Sequence, residues 1–351
     1  MKRQLYRCAL DGEAPAEPNP GHRKRLGGSL ALQLFLLGLL AGCQGAGPRW
    51  DGPTELVQSS VKPWRSAAGP GRTIRTAHYA IHTTVDDPHF SNRMAQLMEG
   101  SLAQYQKLVP SVEASARAMD CYVFAQRGQW EAFTRQATGA ESAIYLRVNR
   151  GGYTIDDWFA CYFIGDGGTY AVAAHEGWHQ FVGRHFREPI PPFLEEGIGT
   201  MFQNIHWDND RPRWNLSIHP ARVQRLRNVL ERKMVIPLDQ LAKMHAGEVV
   251  RLSADQIEAF YTETWAFARF CCEGENGKYL PALQQLLGDA AAGKLHGIPE
   301  SRAGEWDPVM VKPLLEHYLG AEISTLDAQF RAYMNSLALD RYAEQWREDA
   351  G

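Results

Sequence analysis

His175-Glu176-Gly177-Trp178-His179 puts two imidazoles and a carboxylate at the spacing from which one helix can hold a metal ion. Residues at i and i+4 share a helix face, so both rings can reach one cation, and the Glu between them stands beside any water that cation holds. Zinc with three protein ligands keeps a fourth position for water, lowers that water's pKa towards about 7 and polarises a carbonyl. Glu176 would then take the proton as general base, and a peptide bond is the obvious target. The flanks support a buried helix. Ala171 to Ala174 run apolar into the motif, Phe181 and Val182 leave it, and Gly183 suits a C′ stop. Two imidazoles and a carboxylate buried without partners would be costly, which favours a metal over a pair of core histidines.

Two residues compete for the third ligand. His185 lies six residues after His179, the spacing of the third His in the metzincin pattern His-Glu-x-x-His-x-x-Gly-x-x-His. That pattern needs Gly at 182, however, and here Val182 stands there with Gly183 one step late. The other candidate is a carboxylate on the next helix. Pro189, Pro191 and Pro192 end the first helix and start a second, whose Phe193, Leu194, Ile198, Met201 and Phe202 are spaced for an inward face that includes Glu196.

With these residues in view the sequence resembles the gluzincin metallopeptidases, in which a His-Glu-x-x-His helix precedes a helix with a liganding Glu inside a Trp-Leu-x-Glu-Gly-like string. The string here reads Phe193-Leu194-Glu195-Glu196-Gly197-Ile198-Gly199. The resemblance implies that Glu196 is the ligand and that Glu195 is not. In particular the chain looks like the bacterial peptidase-MA-like proteins, through Ala77-His78-Tyr79-Ala80-Ile81-His82-Thr83 and a Tyr-x-x-x-Trp-Ala helix at Tyr261 to Ala266. The likeness spans about residues 73–290, loosely outside the zinc motif. It implies a thermolysin-like core, one zinc per chain, a peptide or protein substrate and a tyrosine or histidine to stabilise the oxyanion. Tyr261 is the candidate, although its stripe with Ile257, Phe260, Trp265 and Ala268 also suits a core tyrosine; His206 and His219 are weaker ones. The position four residues after the liganding Glu, where related enzymes often carry an acid that orients a histidine, is Thr200.

Composition fits a globular enzyme. The chain of 351 residues is 44% hydrophobic and 22% charged with a net charge of −3, which gives no basis for nucleic-acid binding. At the N-terminus Arg23-Lys24-Arg25 precede an apolar run from Leu30 to Ala41, too short to span a bilayer and shaped like a signal peptide. Leu40-Ala41-Gly42-Cys43 resembles the bacterial lipobox, in which the cysteine becomes the lipidated first residue. Cleavage there would remove six Lys/Arg and three Asp/Glu, leaving 31 basic and 37 acidic side chains on an envelope protein held to its membrane by lipid. Cys121 and Cys161 fall in strand-like runs and suit either a disulfide or two buried thiols, and Cys271-Cys272 suit packing.

These elements must place the kit. Residues 1–42 read as leader, 43–72 as a Gly/Pro/Ser-rich tether and 73–350 as the catalytic domain, with the zinc core at about 169–205. A strand at 76–83, a helix carrying Met94, Leu97, Met98, Leu102, Tyr105 and Leu108, and a strand around Cys121 come first. Two extended runs between Ser142 and Ile164 follow, with Tyr145 to Val148 a candidate sheet edge beside the metal for an extended peptide. His78 and His82 would share a strand face, more suited to solvent than to a second metal. Helices at 218–233, 237–245, 254–272, 278–287 and about 324–347, with a loop at 288–313, complete an α+β domain: a small mixed sheet, then a mainly helical half. Two other readings stay open: a non-catalytic zinc lipoprotein that binds peptide or polysaccharide, and a zinc amidohydrolase acting on a non-peptide amide.

Overall fold

The computed structural model describes residues 6–9, 49–51, 56–215, 220–249, 251–296 and 307–339. The lipobox with Cys43, nearly all of the leader, His219 and the end of the last expected helix lie outside the described residues. The chain runs through β1 (Tyr6–Ala9), β2 (Arg49–Asp51), β3 (Ser60–Ser66), β4 (Gly69–Arg75), β5 (Tyr79–Thr83), α1 (Pro88–Leu108) and β6 (Met119–Phe124). Next come α2 (Arg127–Thr138), α3 (Ser142–Tyr145), β7 (Gly151–Ile155), β8 (Trp158–Tyr162), α4 (Asp166–His185), α5 (Pro192–Met201) and a hairpin of β9 (Ile205–Asp208) with β10 (Arg211–Asn215). The remainder is helical: α6 (Pro220–Glu231), α7 (Leu238–Leu241), α8 (Ala246–Val249), α9 (Ala254–Gly277), α10 (Leu280–Ala292), α11 (Val311–Leu319) and α12 (Ile323–Ala338).

Six strands in the order β7-β8-β6-β5-β4-β3 make the main mixed sheet, with β5, β6 and β8 parallel and the rest antiparallel; β1 adds to the outer edge of β7, and β2 joins the β9/β10 hairpin. A mixed sheet followed by a mainly helical remainder is the expected class. Alternation on β6 assigns the two faces. Cys121 and Val123 enter the large core with α1 and α4, whereas Tyr122 and Phe124 belong to a second cluster around Trp130 of α2. Helix α1 buries the apolar stripe read from its spacing and is capped by Asp87, whose carboxylate accepts from the His89 and Phe90 N–H groups.

Several expectations change. Residues 60–72 are not tether: β3 and β4 form a hairpin that extends the sheet, and Ile74 and Thr73 of β4 are buried. Gly and Pro there build the tight connection, with Gly69 at φ +111°. Tyr145 to Val148 is not an edge strand but the end of α3 and a turn, which buries Tyr145 and Val148 three residues apart; the strand packed most closely beside α4 is β7, with β1 on its far edge. Helices α2 and α11 and the β9/β10 hairpin were not anticipated. In α2, buried Thr134 and Thr138 dilute the apolar stripe that Trp130 begins. His78 and His82 do not share an environment, since β5 starts at Tyr79: His78 Nδ1 meets Glu99, while His82 sits between Thr73 and Asp120. Cys121, Cys161, Cys271 and Cys272 are free and buried.

Helix α4 is fixed on three sides. Tyr105 of α1 donates to the Ala174 carbonyl at 2.6 Å, and Gly177 makes room for it, because a Cβ there would stand 2.7 Å from the Tyr105 hydroxyl oxygen. The Gln180 amide donates to the Asp120 and Asp157 carbonyls at 2.9 and 2.8 Å, and Arg184 pairs with Asp157 at 2.7 Å. Gly183 is not a C′ stop, since α4 continues to His185; it lets the helix meet the β7–β8 turn, where a Cβ would come within 1.8 Å of the Asp156 carbonyl oxygen. Gly183→Ala should therefore cost about 1–3 kcal/mol or more in denaturant unfolding. Gly167→Ala, in the first turn of the same helix with nothing within 4 Å of the added methyl, should be neutral or stabilising by up to about 1 kcal/mol. Equal effects of the two changes would contradict this docking.

Candidate metal centre

Helices α4 and α5 bring His175, His179 and Glu196 together. The two Nε2 atoms stand 3.0 Å apart, and Glu196 Oε2 is 3.3 Å from His175 Nε2 and 3.9 Å from His179 Nε2. Tetrahedral ligands about 2.0–2.1 Å from zinc stand roughly 3.3 Å from one another, which these separations bracket. All three residues are buried, and among the described residues neither oxygen of Glu196 has a hydrogen-bond donor. Burial holds the Glu196 carboxyl up at about 7, with Glu195 adding to the rise and His179 opposing it. A carboxylate taken from water without a donor needs a cation, and the N₂O donor set suits zinc.

The supports explain the string on α5. Glu195 turns its carboxylate to His179, with Oε1 3.0 Å from Nδ1, so the proton sits on Nδ1 and the Nε2 lone pair faces Glu196. Gly197 lets α5 cross α9, where a Cβ would lie 2.2 Å from the Thr264 carbonyl oxygen. Gly199 admits the His175 ring, 3.1 Å from where its Cβ would be. Burial, with Arg222 adding to it and the Gly199 backbone opposing, lowers the His175 pKa to about 3, so the ring is neutral.

The Gln203 amide nitrogen, oriented by Arg222 on its oxygen, stands 3.2 Å from His175 Nδ1, and the Gly199 backbone interacts with the same ring. A cation among the three ligands would need Nε2 bare and so would select the tautomer with its proton on Nδ1.

Glu176 is held from the sheet through one of its oxygens. Thr154 of β7 donates to its Oε2 at 2.6 Å, and Gly152 of the same strand keeps space for it, since a Cβ there would lie 3.0 Å from Glu176 Cγ. The carboxylate is thus buried beside the triad without belonging to it.

The other sequence candidates are not among the three converging ligands. His185 directs Nδ1 to the Phe181 carbonyl of its own helix at 2.9 Å and lies outside the cluster. Thr200 is buried but makes no hydrogen bond to either imidazole among the described residues; Glu195 and Gln203 do that work instead. Tyr261 is half-buried on α9, with its ring edge against Phe260, and His206 is half-buried on β9. Glu195 was missed because two adjacent acids on one helix look like one ligand and one spectator. Its signal is the unbroken apolar surround, Phe193, Leu194 and Ile198, which leaves no polar face for it. Compared with family models, curated proteins and solved structures, the chain finds no match.

Zinc affinity should order the supports. Glu196→Ala should abolish tight binding, and Glu195→Ala should weaken it about 10–100-fold by releasing His179. His185→Ala should leave it unchanged. Competition with a chromogenic chelator gives the three constants, and an Glu195→Ala protein that matches wild type would remove the role assigned to that carboxylate.

Proposed function

We propose that this chain is a zinc-dependent metallopeptidase of the gluzincin type with a thermolysin-like core, tethered by lipid at Cys43 to the membrane of a bacterial envelope. The observation that carries the reading is the separation of roles within one buried cluster: three ligand groups converge, and a fourth, Glu176, stands beside them on a different hydrogen-bond partner. A structural zinc site needs no such base and is ordinarily closed by a fourth protein ligand.

When bound, zinc would supply Lewis-acid polarisation of the scissile carbonyl and ease deprotonation of water. His175, His179 and Glu196 would hold it. Glu176 accepts the proton from the attacking water, with Thr154 fixing one carboxylate oxygen and so the direction of the other. The same carboxyl then delivers the proton to the leaving amine. Tyr261 is the proposed oxyanion donor. Peptide is proposed to lie extended along the outer edge of β7, the strand that carries Thr154. In the full chain β1 pairs with that edge from Tyr6 opposite Thr154 to Ala9 opposite Gly151, and cleavage before Cys43 would free it.

Glu176→Gln should keep both zinc and fold but lose hydrolysis of a peptide library by orders of magnitude, since only Lewis-acid action and positioning would be left. Tyr261→Phe should lose about 10²-fold in kcat with KM little changed. Full activity in Glu176→Gln would sink the mechanism, and wild-type rates in Tyr261→Phe would return that tyrosine to the core.

A further inference from the structure

On the face of the sheet away from α4, a cavity of about 500 Å³ opens between the β3–β4 hairpin and α2. Its wall is aromatic: Trp64 of β3, Tyr122 of β6, Phe133 of α2 and Trp158 at the start of β8, with Arg65 and Gln136 at the rim. All four rings are half-buried. The volume falls within the range of about 300–1,000 Å³ typical of small-ligand sites.

The wall is built in advance. Tyr122 stacks on His82 at 4.8 Å with 16° between planes, and His82 is held by Thr73 Oγ1 at 2.9 Å and Asp120 at 3.0 Å. Trp64 lies 5.2 Å from His82, over Gly71, where a Cβ would come 3.1 Å from the indole. Trp158 meets Tyr122 and Phe133 edge-on at 5.7 and 5.8 Å. Among the described residues nothing hydrogen-bonds the Trp64 or Trp158 indole N–H or the Tyr122 hydroxyl.

These features choose among ligands. The rings meet one another tilted or edge to face and leave no gap between them for a quaternary ammonium, and Arg65 opposes any cation. A wholly apolar ligand would bury the indole and phenol donors unpaired. A pyranose supplies both needs: its C–H face lies on the rings, and its hydroxyl oxygens accept from the N–H, O–H and guanidinium groups at the edge. We infer that the cleft formed by Trp64, Tyr122, Phe133 and Trp158 is a saccharide-binding site, separate from the metal centre and independent of its chemistry.

The test is titration of the full chain with the tetramer of N-acetylglucosamine and with cellotetraose, followed by tryptophan fluorescence and calorimetry. At least one should bind saturably with a Kd of about 1 mM or tighter. Trp64→Ala and Trp158→Ala should each weaken it about tenfold. Ala137→Trp, at an exposed lining position where no packed side chain is removed, should block binding with the melting temperature and zinc content unchanged. The inference is overturned if neither sugar binds up to about 10 mM, or if binding survives all three substitutions. Saturable binding of choline or of an aromatic peptide through these rings, with no sugar bound, would overturn it equally.

Discussion

Five ionisable side chains, His175, Glu176, His179, Glu195 and Glu196, are packed into one place with at most 1% of any of them exposed. Bringing an ion out of water into such a site costs several kcal/mol even after relaxation, so each group needs a defined partner. Four of the five have one within the protein: Glu195 and His179 hold each other, Thr154 holds Glu176, and Gln203 stands at His175 Nδ1. Among the described residues Glu196 has only the two imidazoles and no donor, and a divalent cation between the three would complete the set. Removing the cation would leave a carboxyl inclined to stay protonated, in accord with a pKa raised to about 7 by burial.

This demand explains why glycine recurs where helices and strands approach the cluster. Gly177 and Gly183 set α4 against α1 and the β7–β8 turn, Gly197 sets α5 against α9, and Gly199 and Gly152 admit the His175 ring and the Glu176 stem. A methyl at any of the five would meet an atom at 3.1 Å or less. The sheet contributes through β7 and β6: the first presents Thr154 to Glu176, and the second presents the Asp120 carbonyl to Gln180, one residue after His179. The aromatic cleft on the opposite face shares β6 and β8 with this framework but none of the buried charges.

Much of this was legible in the sequence where local spacing alone determines the outcome. The i, i+4 histidines, the proline-bounded second helix and the stripe of α1 are periodicity statements, and the elements lie where periodicity put them. Legibility failed where meaning depends on a distant partner. Gly183 looks like a helix end until Asp156 is known to face it, and Tyr145 and Val148 fit a strand or a helical turn equally well. Gly, Pro and Ser between residues 60 and 72 suggest a linker, yet pairing of β3 with β4 and β4 with β5 makes them sheet. Glu195 and Gln203 reach the imidazoles only because α5 packs on α4 at one particular register.

Metal-linked stability tests the central claim most directly. The melting temperature of the full chain should rise by several degrees when zinc is added to chelator-treated protein, and continue to climb with zinc concentration as binding to the folded state requires. The rise should vanish in Glu196→Ala. A melting temperature indifferent to zinc, or one that rises equally without Glu196, would contradict the account of the buried cluster as a metal centre.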